Sequence, residues 1–294
     1  RRRLGYIRLS LPPILKMTKS QTIVTNKAAL SGLRVTVMGL GLHGGGLAVA
    51  KYLSRHDARV TVTDLKSETH LMPSLEHLDS SIRLVLGRHE YADFNKTDMV
   101  IKNPGVPANS DFLKAARLSG TPIETDISLF RKFYPNTPLI AITGSKGKST
   151  TAAALHYCLK HWHSDARLGG NITRSPLDFA EELAPTTPVV LELSSWQLGD
   201  LPYPAILRPR VAILTNVMPD HQNEYAALHN YVRDKMRIFS GQEATDHAIV
   251  GVDTLPWFEK TLKAQEWHVG ITDFQSNQIG VSIDGSRLWF QGIG

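Results

Sequence analysis

The segment Thr-Gly-Ser-Lys-Gly-Lys-Ser-Thr at residues 143–150 constrains the fold of this chain more than any other stretch. A short apolar, β-prone run at 138–142 precedes it, and a helix-forming run at 151–160 follows it. Backbone N–H groups at such a strand-to-helix turn, together with the helix N-terminus, can bind a phosphate group. The final Gly-Lys-Ser supplies an ammonium for the β- and γ-phosphates and a hydroxyl that can ligate Mg²⁺. The sequence therefore predicts a nucleotide-binding loop here.

The match to the general phosphate-loop pattern is incomplete. That pattern places a glycine five residues before Gly147, where this chain has Ile142, and the first glycine occurs instead at Gly144. An ordinary Gly/Ser loop that contains a lysine is the alternative interpretation. We favour the phosphate loop because the strand before it and the helix after it are both indicated by the sequence.

A second glycine-rich segment, Gly-Leu-Gly-Leu-His-Gly at 39–44, lies between a strand-like run at 34–38 and a helix-like run at 47–53. Another strand-like run at 59–63 ends at Asp64, which lies 20 residues after the last glycine of the segment. This arrangement is the fingerprint of a nucleotide-binding βαβ unit, with a phosphate on the helix N-terminus. The fingerprint leaves the ligand open between NAD and a nucleotide sugar.

The two segments predict two α/β domains, for which 294 residues leave enough room. We expect a basic tail at 1–30, a Rossmann-like domain for NAD or a nucleotide sugar at 31–135, and a P-loop-type ATPase domain with a mostly parallel sheet at 136–294. The Pro-Asn-Thr-Pro run at 135–138 marks the boundary between the two domains. In the second domain we expect a glycine-rich turn at 169–172 that is followed by a helical stretch to Leu183, and a hairpin whose turn is the Asp-Gly at 284–285.

Composition excludes several classes of function. Five of the six net positive charges lie in residues 1–16, so the basic balance is a property of the tail and does not indicate a nucleic-acid surface. No apolar run is long enough to span a membrane. The single cysteine, Cys158, suits a cytoplasmic location, and we expect it to be a buried structural thiol. Because the first methionine is Met17, we expect translation of the natural protein to begin there.

Side chains with metal-binding chemistry follow three separate β-rich runs of the second domain. They are Ser149, Glu192 and His221, and the carboxyl ends of parallel strands meet at one edge of a sheet. A hydroxyl, a carboxylate and an imidazole beside a triphosphate form a plausible Mg²⁺ site. Taken singly, His221 is more simply a structural histidine, and Lys235 is more simply a lysine on a helix surface. In the first domain, Asp126 is either a ligand contact or, with Thr125, part of a helix N-cap.

The motifs together resemble the Mur ligases, the ATP-dependent enzymes that form amide bonds in peptidoglycan synthesis. The matching segments are 143–150, Gly-Gly-Asn-Ile at 169–172, Glu-Leu-Ser-Ser-Trp-Gln-Leu at 192–198, Asn-Val-x-x-Asp-His at 216–221, and Lys235. The glycine loop with Asp64, the Asn-Pro-Gly-Val run at 103–106 and the aromatic residue Trp196 are most similar to the members that add D-glutamate to UDP-N-acetylmuramoyl-L-alanine.

The resemblance implies a role for each matching position. ATP would be bound by Gly144, Ser145, Lys146, Gly147, Lys148, Ser149 and Thr150. The UDP substrate would be bound by Gly41, Leu42, Asp64, Asn103, Gly105, Asn171, Ser194 and Gln197. Two Mg²⁺ ions would be held by Ser149, Glu192, His221 and a Lys235 that CO₂ has carbamylated. The implied catalytic residues are Lys148, His221 and Lys235.

The resemblance also implies the partners: UDP-N-acetylmuramoyl-L-alanine and D-glutamate as substrates of a cytoplasmic monomer that binds neither nucleic acid nor membrane. Members of the family carry a third, C-terminal α/β domain that binds the amino acid, and this sequence ends before it. For the 294-residue chain alone we therefore expect binding of substrate and ATP with little ligation.

Two other functions are compatible with parts of the sequence. An NAD-dependent dehydrogenase would explain the glycine segment at 39–44, but it would leave 143–150, Glu192 and His221 without a role. A non-catalytic module that binds a nucleotide or UDP-sugar would explain both glycine segments.

Overall fold

Two open β-sheets, one after the other along the chain, form the framework of the protein. The first is built from segments within 34–124 and the second from segments within 139–291. Helices alternate with the strands of both sheets, which confirms the predicted α/β class. The computed structural model describes residues 24, 26–42, 44–172, 174–218, 228–258, 262–270, 280–284 and 287–291.

The strands of the first sheet are β1 Arg34–Met38, β2 Arg59–Asp64, β3 Arg83–Leu86, β4 Met99–Lys102 and β5 Ile123–Glu124. All five are parallel, in the order β3-β2-β1-β4-β5. The helices between and after them are α1 Gly45–Arg55, α2 Glu68–Leu75, α3 Ala92–Asn95, α4 Asp111–Leu118 and α5 Asp126–Phe133, and a 3-10 turn at Lys27–Leu30 precedes β1. Strand β4 lies between β1 and β5 and is buried along its whole length, as its first three residues, Met-Val-Ile, indicate.

The strands of the second sheet are β6 Leu139–Thr143, β7 Arg167–Gly170, β8 Val189–Glu192, β9 Val211–Leu214, β10 His247–Gly251, β11 Gln265–Gly270, β12 Gly280–Asp284 and β13 Arg287–Gln291. Their order is β13-β12-β11-β10-β9-β6-β8-β7, and only the β12–β13 pair is antiparallel. The helices are α6 Lys148–Leu159, α7 Ser195–Gly199 and α8 Leu228–Met236. Shorter 3-10 turns occur at Pro176–Asp178, Ala180–Glu182, Pro204–Ile206, Arg237–Phe239 and Val252–Trp257.

Three local expectations were wrong. Gly169 and Gly170 do not form a turn; they belong to the edge strand β7, where a Cβ on Gly170 would lie 2.1 Å from the carbonyl oxygen of Glu192. The predicted helix that follows is two 3-10 turns, because the backbone at Phe179 between them leaves the helical region. Cys158 is exposed, because it lies on the solvent-facing side of α6 near the end of the helix.

The two sheets share one apolar core. The largest cluster of buried apolar side chains includes Val37 of β1, Ile127 of α5, Ala141 of β6 and Leu191 of β8. At the edge of the same boundary, the Glu181 carboxylate lies 3.8 Å from the Arg55 guanidinium and 3.3 Å from the His56 imidazole. A shared apolar core of this kind makes independent movement of the two parts unfavourable.

Helix α5 begins with a capping box that resolves one alternative left open by the sequence. The Thr125 hydroxyl accepts from the Ser128 N–H at 3.1 Å, and the Ser128 hydroxyl accepts from the Thr125 N–H at 2.8 Å. Asp126 lies next to the cap and is buried, where it accepts from the Ser175 hydroxyl of the second part at 2.9 Å. Burial raises the pKa of the Asp126 carboxyl, and the hydrogen bonds from Ser175 and Ile127 oppose this rise.

The raised pKa of Asp126 predicts a pH-dependent difference in stability between the wild type and Asp126→Asn. A group whose folded pKa is raised contributes stability below its unfolded pKa and loses it as the pH rises through the folded pKa. The variant carries no such group, so its unfolding free energy should rise relative to wild type between about pH 4 and about pH 8, on the order of 1 kcal/mol. Urea unfolding at both pH values measures this difference.

The control is Asp111→Asn, at an exposed position of α4. Its unfolding free energy should follow the wild-type pH profile. A constant difference between Asp126→Asn and wild type over the same range would contradict the prediction.

Candidate functional site: two glycine loops at the strand ends

The predicted phosphate loop connects β6 to α6, as the sequence indicated. Strand β6 continues through Thr143, and Ile142 pairs with Glu192 of β8, so the turn cannot begin at 142. It begins at Gly144, whose φ is +152°, and a Cβ there would lie only 1.9 Å from the hydroxyl of Thr215. Gly147, with φ +81°, is the N-cap of α6. The first glycine of the loop therefore comes at position 144, because β6 extends through Thr143 and the contact with Thr215 leaves no space for a side chain there.

The side chain of Asn216, which follows β9, forms hydrogen bonds with the backbone in the middle of the loop. Its Oδ1 accepts from the Lys146 N–H at 2.9 Å, and its Nδ2 donates to the Lys146 carbonyl at 3.0 Å. The Thr215 hydroxyl donates to the same carbonyl at 2.7 Å. Both hydrogen-bonding groups of one loop residue are thus bound by an amide side chain. We did not predict this role from the sequence, although the position of Asn216 at the end of a β-rich run was a usable signal.

Two lysines lie against the loop. The Lys148 ammonium donates to the Ser145 carbonyl at 3.1 Å. The Lys235 ammonium, carried by α8, donates to the Gly144 carbonyl at 2.8 Å and lies 4.3 Å from the centroid of the Tyr231 ring. Lys235 is only 1% exposed, which excludes the interpretation of it as a surface lysine. The Lys235 ammonium is therefore enclosed beside the first residue of the loop.

Glu192 ends β8 with a carboxylate that is 2% exposed. Its Oε1 accepts from the Asn171 side chain at 3.1 Å, whereas its Oε2 is buried and has no hydrogen-bond partner among the described residues. A buried, unpartnered carboxylate oxygen is costly unless a cation or a donor occupies the adjacent space. Strand β8 lies next to β6 and Glu192 pairs with Ile142, so Glu192 lies at the same sheet edge as the phosphate loop. These residues fit a bound divalent cation.

Ser194 and Gln197, expected to contact the substrate, form a capping box at the start of α7. The Ser194 hydroxyl accepts from the Gln197 N–H at 3.2 Å, and the Gln197 Oε1 accepts from the Ser194 N–H at 3.0 Å. These bonds fix the helix directly after Glu192. Their predicted substrate contacts stay a prediction.

In the first part, Asp64 closes the glycine loop. Its Oδ2 accepts from the N–H groups of Leu40 and Gly41 at 2.9 and 3.2 Å, and its Oδ1 accepts from the Lys66 N–H at 2.9 Å. The glycine that allows α1 to pack closely is Gly46, where a Cβ would lie 2.3 Å from the Gly39 carbonyl. The fingerprint predicted at residues 39–44 did not include Gly46.

The loop after β4 packs directly against this glycine loop. A Cβ on Gly39 would lie 3.1 Å from the Cβ of Asn103, so the two segments form one surface. The Asn103 Oδ1 accepts from the Gly105 N–H at 3.2 Å, which closes the loop on itself. Leu42, at the tip of the glycine loop, is exposed. The residues that we expected to bind the UDP group are therefore brought together.

His221, predicted as a metal ligand and catalytic residue, lies outside the described residues, as does Asp220. Within the described residues, no three His, Cys, Asp or Glu side chains come together as a metal cluster. In the same part of the chain, none of the helices combines the length and apolarity that crossing a lipid bilayer requires.

Fold and site together define a nucleotide-binding α/β protein with one glycine loop on each of two sheets. The sequence profile of the Mur ligase MurD-like N-terminal domain matches residues 33–125, and that of the Mur ligase middle domain matches residues 142–288. This chain belongs to the Mur ligase family.

Curated relatives agree with this assignment. The UDP-N-acetylmuramoylalanine–D-glutamate ligase of Treponema pallidum (strain Nichols) is 48% identical over 77% of this chain and 45% of its own length. The protein of the same name from Roseiflexus sp. (strain RS-1) is 40% identical over 76% of this chain and 48% of its own length. The chain therefore spans about half the length of the curated relatives it matches.

Solved structures support the fold. The UDP-N-acetylmuramate:L-alanyl-gamma-D-glutamyl-meso-diaminopimelate ligase from Neisseria meningitides has a TM-score of 0.59 at 14% identity, covering 89% of this chain and 85% of its own. A murein peptide ligase from Psychrobacter arcticus 273-4 has a TM-score of 0.53 at 17% identity, covering 88% and 59%. At these identities the likeness concerns the fold alone.

The contact of Asn216 with the phosphate loop predicts that Asn216→Ala weakens nucleotide binding. Loss of both side-chain hydrogen bonds to Lys146 leaves the loop less ordered, so its N–H groups must be ordered when the nucleotide binds. We expect the dissociation constant for ATP to rise about tenfold, which corresponds to the net value of one or two hydrogen bonds. Calorimetric titration with ATP and Mg²⁺ measures it. The exposed Asn136 provides the control Asn136→Ala, and equal affinities of the two variants would contradict the prediction.

Proposed function

We propose that this chain is the nucleotide-binding part of an ATP-dependent ligase that joins D-glutamate to UDP-N-acetylmuramoyl-L-alanine. One observation carries the proposal: the phosphate loop, the buried Lys235 and the unpartnered oxygen of Glu192 lie along one sheet edge. The names of the curated relatives supply the substrate class.

The loop at 143–150 binds the triphosphate of ATP in this proposal. Its backbone N–H groups and the N-terminus of α6 contact the phosphate oxygens, and the Lys148 ammonium exchanges the Ser145 carbonyl for the β- and γ-phosphates. The remaining loop residues predicted to contact ATP are Gly144, Ser145, Lys146, Gly147, Ser149 and Thr150.

Glu192 and the Ser149 hydroxyl would hold one metal ion in this proposal, and His221 and Lys235 would hold a second. Mg²⁺ at these positions would neutralise the charge of the transferring phosphoryl group. Carbamylation of Lys235 would replace its ammonium by an anionic oxygen ligand of the kind that a hard cation prefers. Because Lys235 already touches the Gly144 carbonyl, such a group would lie beside the bound triphosphate.

The first part binds the UDP end of the other substrate through Gly41, Leu42, Asp64, Asn103 and Gly105, while Asn171, Ser194 and Gln197 position its acidic end. A carboxylate oxygen of the alanine attacks the γ-phosphorus, ADP leaves, and an acyl phosphate forms. The D-glutamate amine then attacks the acyl carbon, loses a proton and expels phosphate. No nucleophilic side chain of the protein is required, so the residues of this chain act by positioning and charge neutralisation.

Loss of the Lys148 ammonium should weaken binding at one of the two predicted sites and leave the other unchanged. For Lys148→Ala we expect the dissociation constant for ATP to rise tenfold or more, about the effect of losing a charge-assisted contact. The affinity for UDP-N-acetylmuramoyl-L-alanine should stay unchanged, because that substrate binds mainly to the other sheet. Calorimetric titration of each ligand measures both. The matched control is Lys160→Ala, at an exposed position after α6.

Two outcomes would contradict the proposed function. Tight binding of NAD in place of the UDP substrate would favour a dehydrogenase. Binding of both predicted ligands without any UDP-substrate-dependent release of ADP from the complete enzyme would favour a non-catalytic module.

Substitution at Glu192 tests the metal site directly. Glu192→Gln keeps the shape of the side chain but removes the charge, so binding of Mn²⁺, used as a paramagnetic probe for Mg²⁺, should weaken about tenfold or more. Electron paramagnetic resonance titration in the presence of ATP measures free Mn²⁺. The exposed Glu243 gives the control Glu243→Gln. Unchanged Mn²⁺ affinity in Glu192→Gln would remove Glu192 from the metal site.

A further inference from the structure

A buried ion pair joins the two predicted ligand sites. Lys102 is the last residue of β4, and its ammonium contacts the carboxylate of Asp200, the residue that follows α7. The side chains are only 4% and 10% exposed. Lys102 ends a strand of the first sheet, whereas Asp200 follows the short helix that comes after β8 of the second sheet. The pair therefore connects the strand before the loop at 103–106 to the helix after Glu192.

On the first side, Lys102 directly precedes the loop expected to bind the UDP group. The Asn103 N–H donates to the Met38 carbonyl at 3.1 Å, so the start of this loop is fixed to β1. A cavity of about 10 Å³ is lined by Lys102, Asn103 and Pro104 among other residues, and it leaves room for one water molecule at most.

On the second side, Asp200 is tied to the helix that follows the Glu192 strand. The Asp200 N–H donates to the Trp196 carbonyl at 2.8 Å. Arg237 donates to the Gly199 carbonyl at 2.6 Å, which fixes the end of α7 to the segment after α8. A Cβ on Gly199 would lie 2.9 Å from the Asp234 carboxylate, so α7 and α8 are in close contact. Helix α8 also carries Lys235.

Because the ion pair is buried, each of its two charges depends on the other for compensation. Burial raises the pKa of the Asp200 carboxyl, while the Lys102 ammonium and, more weakly, Arg237 oppose this rise and Asp234 adds to it. Removal of one partner of a buried pair leaves the other charge without compensation, whereas replacement of both by neutral groups of similar volume is often neutral for stability. Stability and geometry can therefore be tested separately at this position.

We propose that Lys102 and Asp200 are positioning residues that hold the loop at 103–106 in register with α7, and so set the span between the two ligand sites. The proposal deepens the proposed function and rests on it for the identity of the ligands. A substrate that reaches from one sheet to the other must match this span, because a displacement of about 1 Å at a reacting centre can lower a rate about a hundredfold.

The test compares Lys102→Met, Asp200→Asn and the double variant with wild type. The matched control is Glu181→Gln, which removes an ion pair between the same two parts at an exposed position. Nitroxide labels on Cys158, the only cysteine of the chain, and on Lys114→Cys, at an exposed position of α4, report the distance between the two parts. Thermal unfolding and the affinities for UDP-N-acetylmuramoyl-L-alanine and ATP complete the set.

We expect both single variants to unfold at lower temperature and the double variant to regain most of the loss. In the single and double variants, the dissociation constant for the UDP substrate should rise about tenfold, whereas that for ATP should change less than about twofold. The distribution of distances between the two labels should broaden in all three variants and stay narrow in Glu181→Gln. A purely stabilising ion pair would not move the affinity or the distances in the double variant.

The proposal is overturned if the double variant has wild-type stability, wild-type affinity for the UDP substrate and an unchanged distance distribution. Failure of the proposed function gives a different result. In that case wild type itself does not bind the UDP substrate, and the label distances alone decide whether Lys102 and Asp200 set the span.

Discussion

The approach of β9 to the phosphate loop is the contact on which the candidate site depends. It leaves no space for a side chain at Gly144, because a Cβ would lie 1.9 Å from the Thr215 hydroxyl. The same approach brings Asn216 to both hydrogen-bonding groups of Lys146. The loop conformation then determines where α6 begins and where Lys148 lies. The neighbouring strand β8 ends at Glu192 on the same edge of the sheet. The order of the strands therefore explains why the phosphate loop, Lys148 and the buried carboxylate lie near one another.

Two polar contacts between the two parts of the protein are buried. Asp126 bonds to Ser175 and Lys102 bonds to Asp200, and all four side chains are largely shielded from solvent. Such groups are stable inside a protein only when their partners stay in place. The boundary therefore favours one arrangement of the sheets over a freely hinged pair. A ligand that contacts both sheets meets a preformed span and does not have to order it on binding.

Much of the fold follows from local sequence. The βαβ unit at 34–64, the strand before Gly144 and the helix after it were predicted because alternating apolar runs and glycine-rich turns are local signals. The β12–β13 hairpin is confirmed by antiparallel pairing, although the first residues of its turn beyond Asp284 lie outside the described residues. The predictions at Gly169 and Cys158 were wrong because edge pairing and helix exposure depend on distant segments.

Consecutive residues were enough to predict the two glycine loops, the phosphate chemistry at 143–150 and the acidic residue that ends β8. Three-dimensional packing was needed to bury Lys235 against Gly144, to bring Asn216 to the loop, and to pair Lys102 with Asp200. These contacts join residues 70 to 98 positions apart. Such pairs depend on strand order and on the packing of one sheet against the other, and a single sequence carries no local signal for either.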